Sequence, residues 1–195
     1  MNWPLSKQAK LDQSTAVIEL IVKVVKPKSW LREFLEALIP ALIIVFVINA
    51  FVAQATRVEG ESMVPNLHNN ERLIIEKMSY RFHLPVRGDI IVIKPPRKGT
   101  EPLIKRVISL PGETIAVHDG KVYINGQALD EPYLTQQTAG TMAQQLVPEG
   151  YVFVMGDNRG ASNDSRSFGV VPLQDIIGHA WLRYWPFNVA GIIKH

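Results

Sequence analysis

The chain has 195 residues, of which 47% are hydrophobic and 20% charged, and it contains no cysteine. This length fits one domain of ordinary size with its own core, and the composition excludes a disordered, collagen-like or coiled-coil chain. Without cysteine there can be no disulfide framework, thiolate metal site or cysteine nucleophile.

The net charge of +3 is not concentrated on the main body of the chain. Residues 1–36 hold six Lys or Arg against four Asp or Glu, whereas residues 57–195 hold fifteen against fourteen. No basic stripe with interleaved aromatic residues is present, so we predict no nucleic-acid partner. The sequence also predicts no metal and no cofactor.

One segment differs in character from the rest of the chain. Ala37 to Ala53 is a run of seventeen residues without a charge, and at about 1.5 Å per residue it can span the hydrocarbon core of a membrane. The alternative is a buried core helix, but an all-round apolar helix needs a large protein to cover it. We therefore predict a transmembrane helix over residues 37–54.

The basic residues flanking this segment indicate its orientation. Only Arg57 follows it closely, whereas four basic residues precede it: Lys23, Lys26, Lys28 and Arg32. By the positive-inside rule, residues 1–36 are a cytoplasmic arm and residues 55–195 are extracytoplasmic. Cleavage after Ala53-Gln54-Ala55 is the alternative, although 36 residues before the apolar run is long for a signal peptide.

Beyond the span, short apolar runs separated by turns predict β-strands. These runs are Leu73–Ile75, Ile90–Ile93, Leu103–Leu110, Ile115–Val117, Val122–Ile124 and Tyr151–Met155. Asp119-Gly120 and Asn125-Gly126 predict tight hairpin turns, and residues 135–150 look like a loop. Trp181, Trp185 and Phe187 fit a buried C-terminal strand, with membrane headgroup contact as the alternative. The fold class is mainly β, an antiparallel sheet anchored by one N-terminal helix.

Ser62 is the first candidate for chemistry. It lies in the segment from Val58 to Leu67, but Val64 stands where the second glycine of a Gly-x-Ser-x-Gly elbow belongs, so this is not an α/β-hydrolase nucleophile. A serine hydroxyl needs a base to remove its proton. The five histidines lie in no recognisable triad context, so a lysine has to be considered.

Lys105 is the candidate base. Period-2 alternation along its strand puts it on an apolar face with Leu103 and Val107, and Arg106 on the other. Burial would lower its pKa and make a neutral amine available near neutral pH. The alternative is a lysine that snorkels from a sheet edge.

A third segment, Gly156 to Gly169, follows the Tyr151–Met155 strand and is dense in polar groups. Two Asp, two Asn, two Arg and three Ser in fourteen residues can form an elaborate turn or position a site. Composition alone names no reaction here.

Taken together, these segments resemble the bacterial type I signal peptidases, membrane-anchored Ser/Lys proteases, and in particular their compact single-span members. The matching motifs run in the family's order from the span to about Phe187. They are Gly60-x-Ser62-Met63-x-Pro65, Gly88-Asp89-Ile-Ile-Val, Lys105-Arg106-x-Ile-x-Leu-Pro111-Gly112, Gly156-Asp157-Asn158-Arg159, and Asp164-Ser165-Arg166 with Gly169.

The resemblance implies roles for individual residues. Ser62 is the nucleophile, Lys105 the general base and Ser162 the hydroxyl that orients the lysine. Asp164 and Arg166 resemble an ion pair supporting the site, and Asp157 and Arg159 parts of the same turn scaffold.

Gly60 departs from relatives that carry a serine there, whose hydroxyl helps form the oxyanion hole. The hole here would depend on the Ser62 backbone N–H. We expect the walls of the substrate pocket to include Val58, Met63, Leu67 and Ile104, with core packing as the alternative.

The function implied is cleavage of signal peptides from secreted preproteins after an Ala-x-Ala site, at the bacterial plasma membrane. Its partners would be such preproteins and the lipid bilayer. Two rivals are a membrane-anchored β-domain without catalysis and a Ser/Lys self-cleaving regulator.

Overall fold

The computed structural model describes residues 15–19, 29–95 and 101–193. The chain divides into two units, Met1–Phe46 and Val47–His195, and each is described by itself. Most of the predicted arm, residues 1–36, lies outside the described residues.

The N-terminal apolar segment is a helix, α1 (Trp30–Val47), that continues as a π-helical turn, Ile48–Val52. Together they span 23 residues, with a mean hydropathy of 2.5 over an 18-residue stretch and no buried residue, so the segment is long and apolar enough to cross a membrane. The helix begins seven residues before the predicted 37–54, because the prediction admitted only uncharged residues. Arg32 and Glu36 lie within it as an i,i+4 ion pair of 2.8 Å.

The described residues of the second unit form twelve strands, and all pairings among these strands are antiparallel. The first six are β1 (Ala53–Arg57), β2 (Arg72–Glu76), β3 (Ile90–Ile93), β4 (Leu103–Ser109), β5 (Thr114–His118) and β6 (Lys121–Ile124). The others are β7 (Gln127–Ala128), β8 (Met142–Leu146), β9 (Tyr151–Met155), β10 (Val171–Pro172), β11 (Ile176–Trp185) and β12 (Gly191–Ile192). A one-turn helix, α2 (Ser165–Phe168), follows β9. The predicted fold class is confirmed.

The strands form two sheets in the described part of the chain. The larger follows the order β1-β2-β11-β3-β4-β9-β10, with β12 paired to β11, and the smaller follows β7-β6-β5-β8. Both predicted hairpins are present, with Val117 opposite Val122 and Ile124 opposite Gln127. In the larger sheet β4 lies between β3 and β9, which places Lys105 well inside the sheet and not at its edge.

Two local predictions were wrong. Residues 135–150 contain β8, which pairs with β5. Four of its five residues are exposed, so this edge strand carries little apolar pattern in its sequence. The C-terminal strand exists as β11, but Trp181, Trp185 and Phe187 are not buried, with exposures of 46%, 44% and 76%.

Candidate active site

Ser62 and Lys105 are in direct contact. Ser62 lies in the turn that follows β1, and Lys105 lies in the middle of β4, opposite Ile91 of β3. Lys105 Nζ is 2.7 Å from Ser62 Oγ and 3.1 Å from the carbonyl oxygen of Ile104. The lysine is 3% exposed, so it does not snorkel to solvent. The geometry joins a hydroxyl and an amine 43 residues apart in the sequence.

Burial lowers the pKa of Lys105 to about 8 from its ordinary 10.5. Attraction from the carboxylates of Asp164 and Asp157 acts in the opposite direction and does not cancel the effect of burial. A pKa of 8 leaves roughly one lysine in ten neutral at pH 7, against about one in 3,000 for an ordinary lysine. The site therefore contains a usable base next to a hydroxyl.

Asp157 is held by Arg106, a residue for which no role was predicted from the sequence. The Arg106 guanidinium makes two hydrogen bonds to the Asp157 carboxylate, at 2.8 and 2.7 Å, and donates to the carbonyl of Gly88 at 2.8 Å. Its Cζ atom lies 4.0 Å from the ring centroid of Tyr133. Both charged side chains are almost fully buried, so each depends on the other for its charge compensation.

Asp164 and Arg166 form an ion pair at 2.8 Å. Asp164 is the N-cap of α2 and also accepts from the backbone N–H of Gly156 at 3.0 Å. Burial alone would raise the pKa of Asp164, but the Arg166 guanidinium and the Gly156 N–H outweigh burial and hold it below its usual value. Asp164 is therefore a fixed negative charge near Lys105.

Arg159 connects the turn after β9 to the loop after β7. Its guanidinium donates to the carbonyl of Gly156 at 3.1 Å and pairs with Glu131, and it also contacts Thr138. The side chain of Arg159 is fully buried. Glu131 and Thr138 are members of this network that no sequence motif indicated.

Ser162 is close to the pair but does not contact it as predicted. Its hydroxyl is buried behind Gly156 and forms no hydrogen bond to Lys105 in the described structure. A methyl group on Gly156 would lie 2.3 Å from Ser162 Oγ and 2.5 Å from the Ser62 carbonyl oxygen. The turn and the nucleophile segment can approach this closely only because residue 156 is glycine.

A cavity of about 140 Å³ opens beside the pair. Ser62 and Lys105 line it together with Thr56, Arg57, Glu59, Val92, Glu101, Pro102, Leu103 and Ile104. Of the four residues predicted to form pocket walls, one, Ile104, lines this cavity. Val58, Met63 and Leu67 instead pack in a core cluster and are only 1–2% exposed, because their side chains fill the space between the turn and the sheet.

Gly60 has a φ of +83°, a conformation that side-chain-bearing residues rarely adopt. Its N–H donates to Asn69 Oδ1 at 3.2 Å. Within the described residues, no group of three or more His, Asp or Glu side chains could hold a metal ion.

The β-rich unit, with its serine next to a buried lysine, fits one class of protein, the serine hydrolases that use lysine in place of histidine. Comparison with known proteins identifies the family within that class. A family model described as signal peptidase, peptidase S26, matches residues 31–185.

Several relatives of this chain are named signal peptidase I. It is 42% identical over 172 residues to probable signal peptidase I-1 of Synechocystis sp., covering 85% of this chain and 88% of that protein. It is 43% identical over 173 residues to signal peptidase I of Leptolyngbya laminosa, covering 85% of each. It is also 37% identical over 172 residues to signal peptidase I of Bacillus licheniformis, covering 83% and 92%.

The chain therefore belongs to the signal peptidase family, peptidase S26. Membership confirms the predicted activity, that of a signal peptidase and hence of a serine endopeptidase acting on preproteins with signal peptides. The apolar N-terminal helix fits a protein anchored in a membrane.

Proposed function

We propose that the chain cleaves preproteins with a Ser62–Lys105 dyad. The observation that carries this proposal is the 2.7 Å contact between a serine hydroxyl and a buried lysine of lowered pKa. Neutral Lys105 takes the proton from Ser62 Oγ as that oxygen attacks the carbonyl carbon of the scissile bond. The Lys105 ammonium then gives the proton to the leaving amine, and an acyl-enzyme remains.

Hydrolysis of the acyl-enzyme repeats the same steps with water. Lys105, neutral again, takes a proton from a water molecule that attacks the ester carbonyl, and Ser62 leaves with a proton from the lysine. The carboxylates of Asp157 and Asp164 keep the pKa of the amine from falling further. Their arginine partners, Arg106 and Arg166, hold the two carboxylates in place. They support the site without touching the reacting atoms.

The proposed cleavage site is Ala-x-Ala. A cavity of about 140 Å³ lined in part by Val92, Leu103 and Ile104 has room for small apolar side chains and little more. Enlarging the small residue that enters it introduces a steric clash, since overpacking of a well-fitted site costs about 1–3 kcal/mol.

The proposed location is the bacterial plasma membrane, with α1 as a single span, the arm inside and the β-rich unit outside. The distribution of basic residues around the span supports this orientation. Protease added to right-side-out vesicles should digest the chain beyond residue 57 and spare the arm. A protected β-rich unit would contradict the orientation and leave the dyad unaffected.

The dyad is tested by cleavage of a preprotein that carries an Ala-x-Ala site. We expect Ser62→Ala and Lys105→Ala each to abolish cleavage, and Lys105→Arg to fail too because a guanidinium stays charged at any working pH. Lys121→Ala, which changes an exposed lysine on β6, is the matched control and should retain full activity. Cleavage by Lys105→Arg would refute the proposal.

A further inference from the structure

Asn158 contacts the nucleophile segment through two separate donors. Its backbone N–H donates to the carbonyl oxygen of Ser62 at 2.9 Å. Its side-chain Nδ2 donates to the carbonyl oxygen of Glu61 at 3.1 Å. One residue of the turn after β9 thus holds two consecutive carbonyl groups, that of the nucleophile and the one before it.

Through the peptide bond between Glu61 and Ser62, the contact made by the Asn158 side chain affects the orientation of the Ser62 N–H. In a planar trans peptide the C=O and N–H point in opposite directions. A donor that fixes the Glu61 oxygen therefore fixes the direction of the Ser62 N–H as well. The N–H of Val64 also reaches the Glu61 oxygen, at 3.3 Å, but from within the same turn. Asn158 ties that peptide plane to a different part of the fold.

The Ser62 N–H has no acceptor among the described residues of the protein. Ser62 itself lines the cavity that also contains Lys105. An oxyanion hole needs a donor of this kind, held in place before the negative charge develops. Gly60 has no side chain to supply a second donor. Stabilisation of the oxyanion therefore depends more strongly on the orientation of the Ser62 N–H.

We propose that Asn158 is a positioning residue for the oxyanion hole, because its side-chain amide sets the peptide plane that carries the Ser62 N–H. This inference rests on the proposed function of Ser62 as nucleophile. Asn158 acts through the peptide bond and does not touch the substrate. The N–H that it orients meets a full negative charge only in the tetrahedral intermediate, so losing the orientation lowers kcat and leaves KM nearly unchanged.

Two substitutions in the full chain, purified in detergent micelles, test this role. Asn158→Asp keeps the size and the backbone N–H but replaces the amide donor with a carboxylate that repels the Glu61 oxygen. Asn158→Ala removes the donor without adding a charge. With an Ala-x-Ala peptide substrate, we expect kcat to fall about 10- to 100-fold in both variants, while KM stays within twofold. This loss of kcat is no larger than the loss caused by removing a whole oxyanion donor.

Two further readouts separate positioning from a general structural role. For Asn158→Ala, the midpoint of the kcat pH profile should stay at the wild-type value, since the contact of Lys105 with Ser62 is untouched. The thermal midpoint should also stay near wild type. Asn163→Ala, an exposed asparagine five residues further along the same segment, is the matched control and should retain wild-type kcat.

The results that would overturn the inference are specific. Wild-type kcat in Asn158→Asp would show that the amide donor is not needed. A raised KM with unchanged kcat, or a loss of kcat that follows a loss of thermal stability, would assign Asn158 to substrate binding or to folding. Ser62→Ala is assayed in parallel: residual cleavage there refutes the proposed function, whereas an inactive Ser62→Ala beside a fully active Asn158→Asp refutes only the role of Asn158.

Discussion

Replacing Lys105 with Met should abolish activity and stabilise the protein at neutral pH. Methionine keeps an unbranched apolar stem in a position that is 3% exposed, but it removes the amine. The buried amine is costly because protonation at neutral pH places a charge where water cannot solvate it fully. A base that works at neutral pH is thus a local source of instability.

The size of this effect follows from the pKa. The pKa of Lys105 falls from 10.5 in an unfolded chain to about 8 in the fold, and at about 1.4 kcal/mol per pH unit this costs about 3 kcal/mol. The cost is fully present below pH 8, decreases as pH rises through 8, and is absent above the unfolded pKa. Losing the hydrogen bond to Ser62 offsets about 1 kcal/mol. We expect a net gain of about 1–3 kcal/mol at pH 7.

The free energy of unfolding of the full chain in micelles, measured at pH 7 and pH 10, checks this reasoning. At pH 10 the cost of burying Lys105 is under about 1 kcal/mol, so the advantage of the Met variant should largely disappear. Lys121→Met, at an exposed lysine on β6, is the control and should change stability little at either pH. A Lys105→Met variant that is less stable than wild type at both pH values would show that the lysine is a satisfied structural cation, and the dyad would lose its physical support.

The sequence predicted those strands that carry an apolar pattern. β3 and β9 begin and end where predicted, because all of β3 and four of the five residues of β9 are buried. β8 was not predicted because its side chains are mostly exposed and so show no apolar pattern. An edge strand of a small sheet can be held by backbone pairing alone, here with β5. An apolar pattern in the sequence indicates a buried strand. β3 and β9 have this pattern, and the exposed strand β8 does not.

The site was predictable only in part for a related reason. Ser62 and Lys105 stand out because a serine needs a base and a lysine on an apolar strand is unusual. Strand alternation predicts that Arg106 is an ordinary outward-facing charge, and its burial is explained by long-range contacts, above all the one with Asp157, 51 residues away. Long-range pairs between charged residues leave no local pattern, so the pairs Arg106–Asp157 and Arg159–Glu131 had to come from the structure.

Three further substitutions or measurements follow from the geometry of the site. The kcat/KM of the wild type should rise with pH through an apparent pKa near 8, as Lys105 loses its proton, and a flat profile from pH 6 to 9 would contradict its role as base. Gly60→Ser should lower stability by about 1 kcal/mol and not raise kcat, because a φ of +83° is strained for any side chain although the space around it is open. Gly156→Ala should be the most damaging, since its methyl group would lie 2.5 Å from the backbone carbonyl of Ser62, which cannot move aside without shifting the nucleophile. We expect at least a hundredfold loss of kcat from a displacement on the order of 1 Å, with a cost of about 1–3 kcal/mol in unfolding free energy. Wild-type kcat in Gly156→Ala would mean that the turn can retreat freely, and the close packing of the turn against Ser62 would then have no part in positioning the nucleophile.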